Sequence, residues 1–194
     1  MVHSTGGLNK SWKFKRNVRK SYEASSKVYE RLYSEEQGTK HSLALRMLDV
    51  STGERILDNG CGSGLFAYKL APKGAFLVEV DLSISLLRVA KEASRLHGGE
   101  VYFICCDSDF LPFIDKAFDK VFAITLLQNL PKPLTTIQEM KRVTKDHGYI
   151  LLTFLKKAFS LEEAQVLVRK AGLRVLMSKE DDSSKDYFLL CAKV

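Results

Sequence analysis

The sequence has no long apolar stretch: its longest ones, such as Val121–Leu127, span only seven residues. A helix that crosses a bilayer needs about 20 apolar residues, so we expect no membrane-spanning helix. Residues 1–9 also lack the apolar segment of a secretory signal peptide. They are small and polar, which predicts a loose tail rather than part of the core.

Cysteine is scarce, and its spacing gives no Cys-x-x-Cys pair and none of the usual zinc patterns. The four cysteines are Cys61, Cys105, Cys106 and Cys191. We therefore predict no metal site and no disulfide framework. Reduced, buried thiols are the expected state of these residues, which favours a cytoplasmic location.

Acidic residues are absent from Lys10–Lys20, a segment that carries six Lys or Arg residues with Trp12, Phe14 and Val18 between them. Residues 1–41 hold nine Lys or Arg against four Glu, a net charge of +5 out of the +7 of the whole chain. A basic segment with aromatic residues is typical of a surface that follows a phosphate backbone. RNA is therefore a candidate partner through Lys10–Lys20, and a solvated helix face is the simpler alternative.

The remaining chain alternates apolar strands with amphipathic helical segments, as expected for one domain of 194 residues. This order predicts an α/β fold, a doubly wound, mostly parallel sheet of seven strands with helices on both faces. The last link, residues 179–186, is polar and too short for a crossover helix, so the final two strands should pair antiparallel. The predicted strands are residues 55–58, 75–80, 101–106, 120–127, 149–155, 173–178 and 187–192.

Some local features are also predicted. Ser83 and Ser160 are suitable N-caps for the helices that follow them. The continuous apolar run Val101–Cys106 is typical of a strand buried on both faces. Helical periodicity predicts two separate helices near the N-terminus, over residues 18–34 and 36–48. His41 is expected on the surface or at a helix end.

The stretch Ile56–Gly64 reads as a short strand that ends at an acid and enters a glycine-rich turn before the next helix. Glycine permits positive φ and lets a ligand approach the backbone closely. The spacing Gly-x-Gly-x-Gly differs from the dinucleotide fingerprint Gly-x-Gly-x-x-Gly. The string Leu-Asp-Asn-Gly-Cys-Gly-Ser-Gly resembles motif I of the class I S-adenosylmethionine (SAM) dependent methyltransferases, most of all the ubiquinone and menaquinone biosynthesis type.

Three acids stand at or just after the ends of successive predicted strands: Asp58, Asp81 and Asp107. Ligands of open α/β sheets bind outside the carboxyl ends of the strands. The resemblance implies that Asp58 lies at the methionine end of SAM, that Asp81 binds the ribose hydroxyls, and that Asp107 with Ser108 binds adenine. It implies SAM as the cofactor and the following cofactor-binding residues: Asp58, Gly60, Cys61, Gly62, Gly64, Asp81, Leu82, Asp107, Ser108 and Thr125.

The resemblance covers about residues 40–194 and implies transfer of a methyl group to an acceptor that the sequence does not identify. The segment Thr125–Pro131 lacks the Asn/Asp-Pro-Pro-Tyr/Phe string used on exocyclic amines. A small molecule, a protein and RNA all stay open as acceptors. No catalytic base is assigned, because the sulfonium is already an activated donor. The candidates to line the acceptor site are Tyr29, Tyr33, Gln128 and Asn129.

The chain divides, in this interpretation, into a basic N-terminal extension and lid helix over residues 1–35 and a SAM-binding domain over residues 36–194. Two alternatives stay open. A catalytically silent SAM-binding regulator or partner subunit would carry the same motifs without turnover. An NAD-dependent oxidoreductase would share the α/β pattern, but the glycine spacing and the closing antiparallel strand disfavour it.

Overall fold

The computed structural model describes residues 5–96 and 100–194, and within the first helix it describes the side chains of residues 10–22 and 35–47. The chain forms five α-helices in the described residues: α1 Thr5–Met47, α2 Ala67–Leu70, α3 Ile84–Ser94, α4 Pro133–Val143 and α5 Leu161–Lys170. It also forms seven strands: β1 Arg55–Asn59, β2 Phe76–Asp81, β3 Glu100–Cys105, β4 Phe118–Ala123, β5 Thr144–Leu155, β6 Leu173–Glu180 and β7 Asp186–Lys193.

The strands make one sheet in the order β3-β2-β1-β4-β5-β7-β6. The first five pair in parallel, whereas β7 runs antiparallel to both β5 and β6. The predicted seven-stranded sheet with one antiparallel C-terminal strand is therefore confirmed. The strand order reverses between β1 and β4, which places a crevice at the carboxyl ends of these strands.

Apolar residues cover both faces of the sheet, because successive side chains of a strand point to opposite sides. In β1, Leu57 joins the core beside α4 and α5, while Ile56 joins the core beside α1 and α2. Both side chains are fully buried. The helices are thus held by two separate apolar layers, as the alternating sequence pattern predicts.

The two predicted helix caps are confirmed. The Ser83 hydroxyl accepts a hydrogen bond from the Leu86 N–H at 3.3 Å. Ser160 forms a capping box, in which its hydroxyl accepts from the Glu163 N–H at 3.1 Å and its own N–H donates to the Glu163 carboxylate at 2.7 Å. These caps satisfy N–H groups that the first helical turn leaves without partners.

Two local predictions are wrong. The chain has one continuous helix, α1, where two were expected; Ser34-Glu35-Glu36 contains no proline or glycine that would end it. Strand β3 is not buried on both faces: among the described strands it pairs with β2 alone, at the edge of the sheet, and none of its residues is fully buried. Tyr102 is consequently 47% exposed, and Cys105 is an exposed thiol rather than a buried one.

All four cysteines are free thiols. No helix among the described residues is long and apolar enough to cross a membrane. The described part of the chain also contains no group of His, Cys, Asp and Glu residues that could hold a metal ion.

Candidate functional site

The glycine turn lies between β1 and α2, at the point where the strand order reverses. Gly60, Gly62 and Gly64 all have positive φ, at 85°, 59° and 78°. The N–H groups of Gly60 and Cys61 both donate to the Val80 carbonyl of β2, at 2.8 and 3.0 Å. The turn is therefore folded back onto the neighbouring strand, and backbone conformations that suit glycine shape it.

Asp81, at the end of β2, holds this turn in place. One carboxylate oxygen accepts from the Gly62 N–H at 3.0 Å, and the other accepts from the Ser83 N–H at 2.8 Å. A carboxylate oxygen can accept more than one hydrogen bond, so these two backbone bonds do not by themselves exclude a further donor. The same acid thus connects the glycine turn to the start of α3 and faces the crevice between them.

Asp58 is almost completely buried below the crevice, at the end of β1. Burial raises the pKa of its carboxyl from 3.8 to about 7, and the charge of Asp81 contributes in the same direction. Near neutral pH this acid is therefore close to half ionised. A cationic ligand placed above Asp58 would favour its charged form.

A second buried acid, Glu79, lies directly under the glycine turn and was not identified from the sequence. Neither of its carboxyl oxygens has a hydrogen-bond partner among the described residues. Burial, together with the nearby Asp58, raises its pKa well above the usual range. Burial thus favours the neutral form of Glu79, which fills space beneath the turn. Its position between apolar Val78 and Val80 gave no sign of this role.

The third acid, Asp107, follows β3 and sits beside Ser108. One oxygen of Asp107 accepts both the Lys15 ammonium at 2.6 Å and the Asp109 N–H at 3.0 Å. The Ser108 hydroxyl donates to the side-chain oxygen of Asn59 at 2.7 Å, and Asn59 is fully buried at the end of β1. This bond ties the loop after β3 to the carboxyl end of the central strand.

A cavity at the carboxyl ends of the strands joins these groups. The structure brings most of the predicted site residues to its wall: Asp58, Gly60, Cys61, Gly62, Asp81, Leu82, Asp107, Ser108, Thr125 and Asn129. Gly64 and Gln128 are not among the residues that line the cavity, and Tyr29 and Tyr33 lie outside the described side chains.

Thr125 follows β4 and is a β-branched residue with φ of +60°, a conformation that such side chains rarely adopt. Its N–H donates to the Thr153 hydroxyl at 2.8 Å. Its carbonyl accepts from the side-chain amides of Gln128 at 3.0 Å and Asn129 at 3.1 Å. The Asn129 amide also donates to the Tyr22 hydroxyl at 2.9 Å. These hydrogen bonds hold the backbone of Thr125 in its strained conformation, as is common at functional sites.

The hydroxyl of Thr125 faces a buried polar cluster contributed by α1 and β7. Its Oγ1 lies 3.4 Å from the Gln37 amide, 3.3 Å from the Lys40 ammonium and 3.5 Å from the Asp186 carboxylate. Lys40 and Asp186 form an ion pair at 3.2 Å, and both side chains are almost fully buried. Lys40 also lies 3.2 Å from the Glu36 carboxylate one turn earlier.

His41 was expected on the surface, but it is buried and lines the cavity. Its ring stacks on Phe66 with centroids 4.7 Å apart. Burial and the nearby Lys69 and Lys40 lower its pKa to about 3, so the imidazole is uncharged near neutral pH. Gln37 and His41 are one helical turn apart, and this spacing is the sequence signal that places both on the same face of α1.

Alanine at Gly64 should destabilise the fold more than alanine at Gly53. Both residues have similar positive φ, so each substitution carries roughly the same 1–2 kcal/mol penalty for the left-handed backbone. At Gly64, however, a Cβ would lie 2.8 Å from the Ala90 Cβ, whereas at Gly53 it would meet nothing within 4 Å. Overpacking of this kind adds about 1–3 kcal/mol. Urea unfolding of both variants measures the difference, and equal losses would contradict the tight contact at Gly64.

The comparisons agree with this geometry. Residues 57–152 match the family model of the methyltransferase domain. A malonyl-[acyl-carrier protein] O-methyltransferase of Marinomonas sp. (strain MWYL1) is 31% identical over 149 residues, which cover 74% of this chain and 53% of that protein. A demethylmenaquinone methyltransferase of Corynebacterium urealyticum (strain ATCC 43042 / DSM 7109) is 36% identical over 107 residues, 55% of this chain and 44% of that protein.

The solved magnesium protoporphyrin IX methyltransferase of Synechocystis PCC 6803, with bound SAM, superposes with a TM-score of 0.77 at 16% identity. The match covers 93% of this chain and 97% of that chain. That likeness concerns the fold. By its family model and its curated relatives, the chain belongs to the class I SAM-dependent methyltransferases, the family whose motif I its glycine turn resembles. It spans about half the length of the curated relatives that it matches.

Proposed function

We propose that this protein transfers the methyl group of SAM to an acceptor, with SAM bound across the carboxyl ends of β1, β2 and β3. The observation that carries this proposal is the convergence of the glycine turn and three strand-end acids on one cavity. A dinucleotide enzyme would share the crevice, but the glycine spacing and the antiparallel β7 favour the methyltransferase class.

Each end of the cofactor finds complementary groups. Asp81 would accept the ribose hydroxyls, because a carboxylate oxygen can accept hydrogen bonds in addition to those from the Gly62 and Ser83 N–H groups. Asp107 would accept the exocyclic amine of adenine, with Ser108 and Leu82 beside the ring. The cationic sulfonium would lie above Asp58, near the backbone of Gly60, where a carboxylate stabilises positive charge.

The protein's part in the reaction is mainly alignment and exclusion of water, because the sulfonium supplies an activated methyl group when SAM is bound. Asn129 and Thr125 would border the transferred methyl group, and Tyr22 would fix the Asn129 amide through its hydroxyl. His41, with a pKa of about 3, is too weak a base to take a proton near neutral pH. It would serve as an uncharged hydrogen-bonding group beside Gln37.

A small molecule with an apolar or aromatic part is the acceptor that the cavity fits best. Near Asn129 the wall is formed largely by apolar or amphipathic side chains from α1 and the loop after β4: Val18, Tyr22, Leu126 and Leu130. The relatives named above act on an acyl carrier-linked malonyl group and a demethylmenaquinone, by their names. The free thiols, one of them exposed, favour a cytoplasmic site of action.

RNA is the alternative acceptor. The residues of Lys10–Lys20 that remain exposed include Trp12 and Phe14 as well as most of the basic side chains. Such a surface can follow a phosphate backbone. Affinity for RNA would then fall steeply with added salt, and binding that is insensitive to salt would exclude this alternative.

Incubation of the purified protein with methyl-labelled SAM and cell extract tests the proposal. Label that enters a small-molecule fraction, resistant to nuclease and protease, supports the proposed acceptor class. Label that nuclease releases would instead identify RNA, and label that protease releases would identify a protein. Binding of SAM without transfer to any fraction would favour a silent SAM-binding regulator or partner subunit.

The Asp58 carboxyl makes SAM binding depend on pH. Its folded pKa of about 7 means that it is mostly protonated below neutrality, and a bound sulfonium should expel that proton. SAM affinity should therefore rise between pH 5.5 and about 8, with proton release near pH 6. Calorimetry in two buffers of different ionisation enthalpy measures the released proton. Asp58→Asn should abolish the release, and an unchanged release in this variant would contradict the assignment.

The same raised pKa affects stability with a definite sign. The unfolded chain loses the Asp58 proton near the ordinary value of 3.8, before the folded chain does. The contribution of Asp58 to the free energy of unfolding is therefore greatest at low pH and falls as the pH rises from about 4 to about 7.

A further inference from the structure

Lys15 makes an unusual contact for a residue in a basic surface segment. Its side chain is 4% exposed, and its ammonium lies 2.6 Å from the nearer oxygen of Asp107. It also contacts the carboxylate of Asp109. Asp109 is itself buried and accepts from the hydroxyl of Thr136 in α4. Lys15 of α1 thus forms ion pairs with two acids of the loop after β3.

The other described side chains in this part of α1 are less buried. Among the described residues 10–22, Lys15 is the one buried side chain, while its neighbours Phe14 and Arg16 are exposed. The other members of the same helix face, Val18, Arg19 and Tyr22, stand three, four and seven positions further on and line the cavity. Residues 10–22 therefore cover the cavity, and the Lys15 ion pairs hold this segment against the loop after β3.

We propose that residues 10–22 form a lid over the bound cofactor and that Lys15 is its latch and the positioning residue for Asp107. This inference rests on the proposed SAM site. The lid closes when Lys15 binds Asp107 and Asp109, and SAM leaves only after these contacts break.

The two carboxylate oxygens of Asp107 would serve different partners, which explains how Lys15 and the cofactor can both bind this acid. Lys15 and the Asp109 N–H both use the Oδ1 oxygen of Asp107. In this proposal the Oδ2 oxygen would accept the adenine amine. Lys15 fixes the rotamer of the carboxylate and balances its charge in a buried setting, so latch closure and adenine binding support each other rather than compete.

The single tryptophan of the chain, Trp12, is placed to report on the lid. It lies in the lid segment and is 44% exposed. Stopped-flow fluorescence of Trp12 during a chase of bound S-adenosylhomocysteine gives the dissociation rate of the product cofactor. Chymotrypsin, which cleaves after aromatic residues, reports opening of the same segment at Trp12, Phe14 and Tyr22.

Lys15→Met keeps most of the aliphatic stem but removes the ammonium. This variant should release S-adenosylhomocysteine about tenfold faster than the wild type. In the wild type the bound ligand should protect the lid from chymotrypsin, and in this variant that protection should be lost. Lys15→Arg, which keeps the charge, should restore most of both. Lys13→Met makes the same change at an exposed lid position two residues away and should match the wild type.

Asp109→Asn supplies an independent variant outside the proposed cofactor contacts, and it should speed dissociation like Lys15→Met. Wild-type dissociation rates and protection in both Lys15→Met and Asp109→Asn would overturn the latch. Failure of the wild type to bind S-adenosylhomocysteine at all would instead overturn the proposed SAM site. The two failures are therefore distinguishable.

Discussion

Asp81→Asn should weaken SAM binding by about ten- to a hundredfold, the largest loss of affinity that we expect from a single isosteric change. The substitution removes the charge that strengthens hydrogen bonds to the ribose hydroxyls, and such bonds contribute about 1.5–3 kcal/mol. It also replaces one oxygen by an amide donor, which cannot accept from the Gly62 or Ser83 N–H. Titration calorimetry with SAM measures the effect.

Asp182→Asn is the matched control for that experiment. It makes the same change in charge at an exposed position in the turn between β6 and β7. We expect its SAM affinity to equal that of the wild type. If Asp81→Asn bound SAM as tightly as this control, Asp81 would hold the glycine turn but would not contact the cofactor.

The buried pair between Lys40 and Asp186 should produce the largest change in stability. Removing one partner of a buried ion pair leaves an uncompensated charge and costs about 3–5 kcal/mol. Lys40→Met should therefore lower the free energy of unfolding by about that amount, because Asp186 is fully buried and Lys40 is its ion-pair partner at 3.2 Å. Urea unfolding with an unchanged m-value measures this loss.

The double variant Lys40→Met/Asp186→Asn tests the cause of that loss. It removes both charges while keeping the size of the acid, so it should be more stable than Lys40→Met alone. The single variant Asp186→Asn completes the comparison. If the loss of stability in the double variant equalled the sum of the losses in Lys40→Met and Asp186→Asn, the two residues would act independently. That result would contradict the role of the pair in joining α1 to β7 beside Thr125.

Local sequence signals predicted the parts of the site that single strands and turns determine. The glycine turn after Asp58 could be read from its residues, because glycine is the residue that most readily adopts the positive φ found at Gly60, Gly62 and Gly64. Asp81 and Asp107 could be placed near Asp58 because parallel strands in a doubly wound sheet end at the same edge. The antiparallel β7 followed from the shortness of the link that precedes it.

Contacts between distant parts of the chain could not be predicted in this way. Lys15 and Asp107 are 92 residues apart, and nothing local distinguishes Lys15 from the exposed lysines around it. His41 was misplaced because burial on α1 depends on the pairing of that helix with Phe66. The strained φ of Thr125 depends on partners from other elements, and β-branched propensity alone favours an extended strand there.

Titration of the purified protein with SAM, S-adenosylhomocysteine and NAD in a calorimeter tests the central claim most directly. We predict saturable binding of SAM and S-adenosylhomocysteine at one site per chain, weakened by Asp81→Asn, and no heat of binding with NAD. Binding of NAD, or the absence of any heat with either adenosyl compound, would contradict the assignment of this cavity as a SAM site.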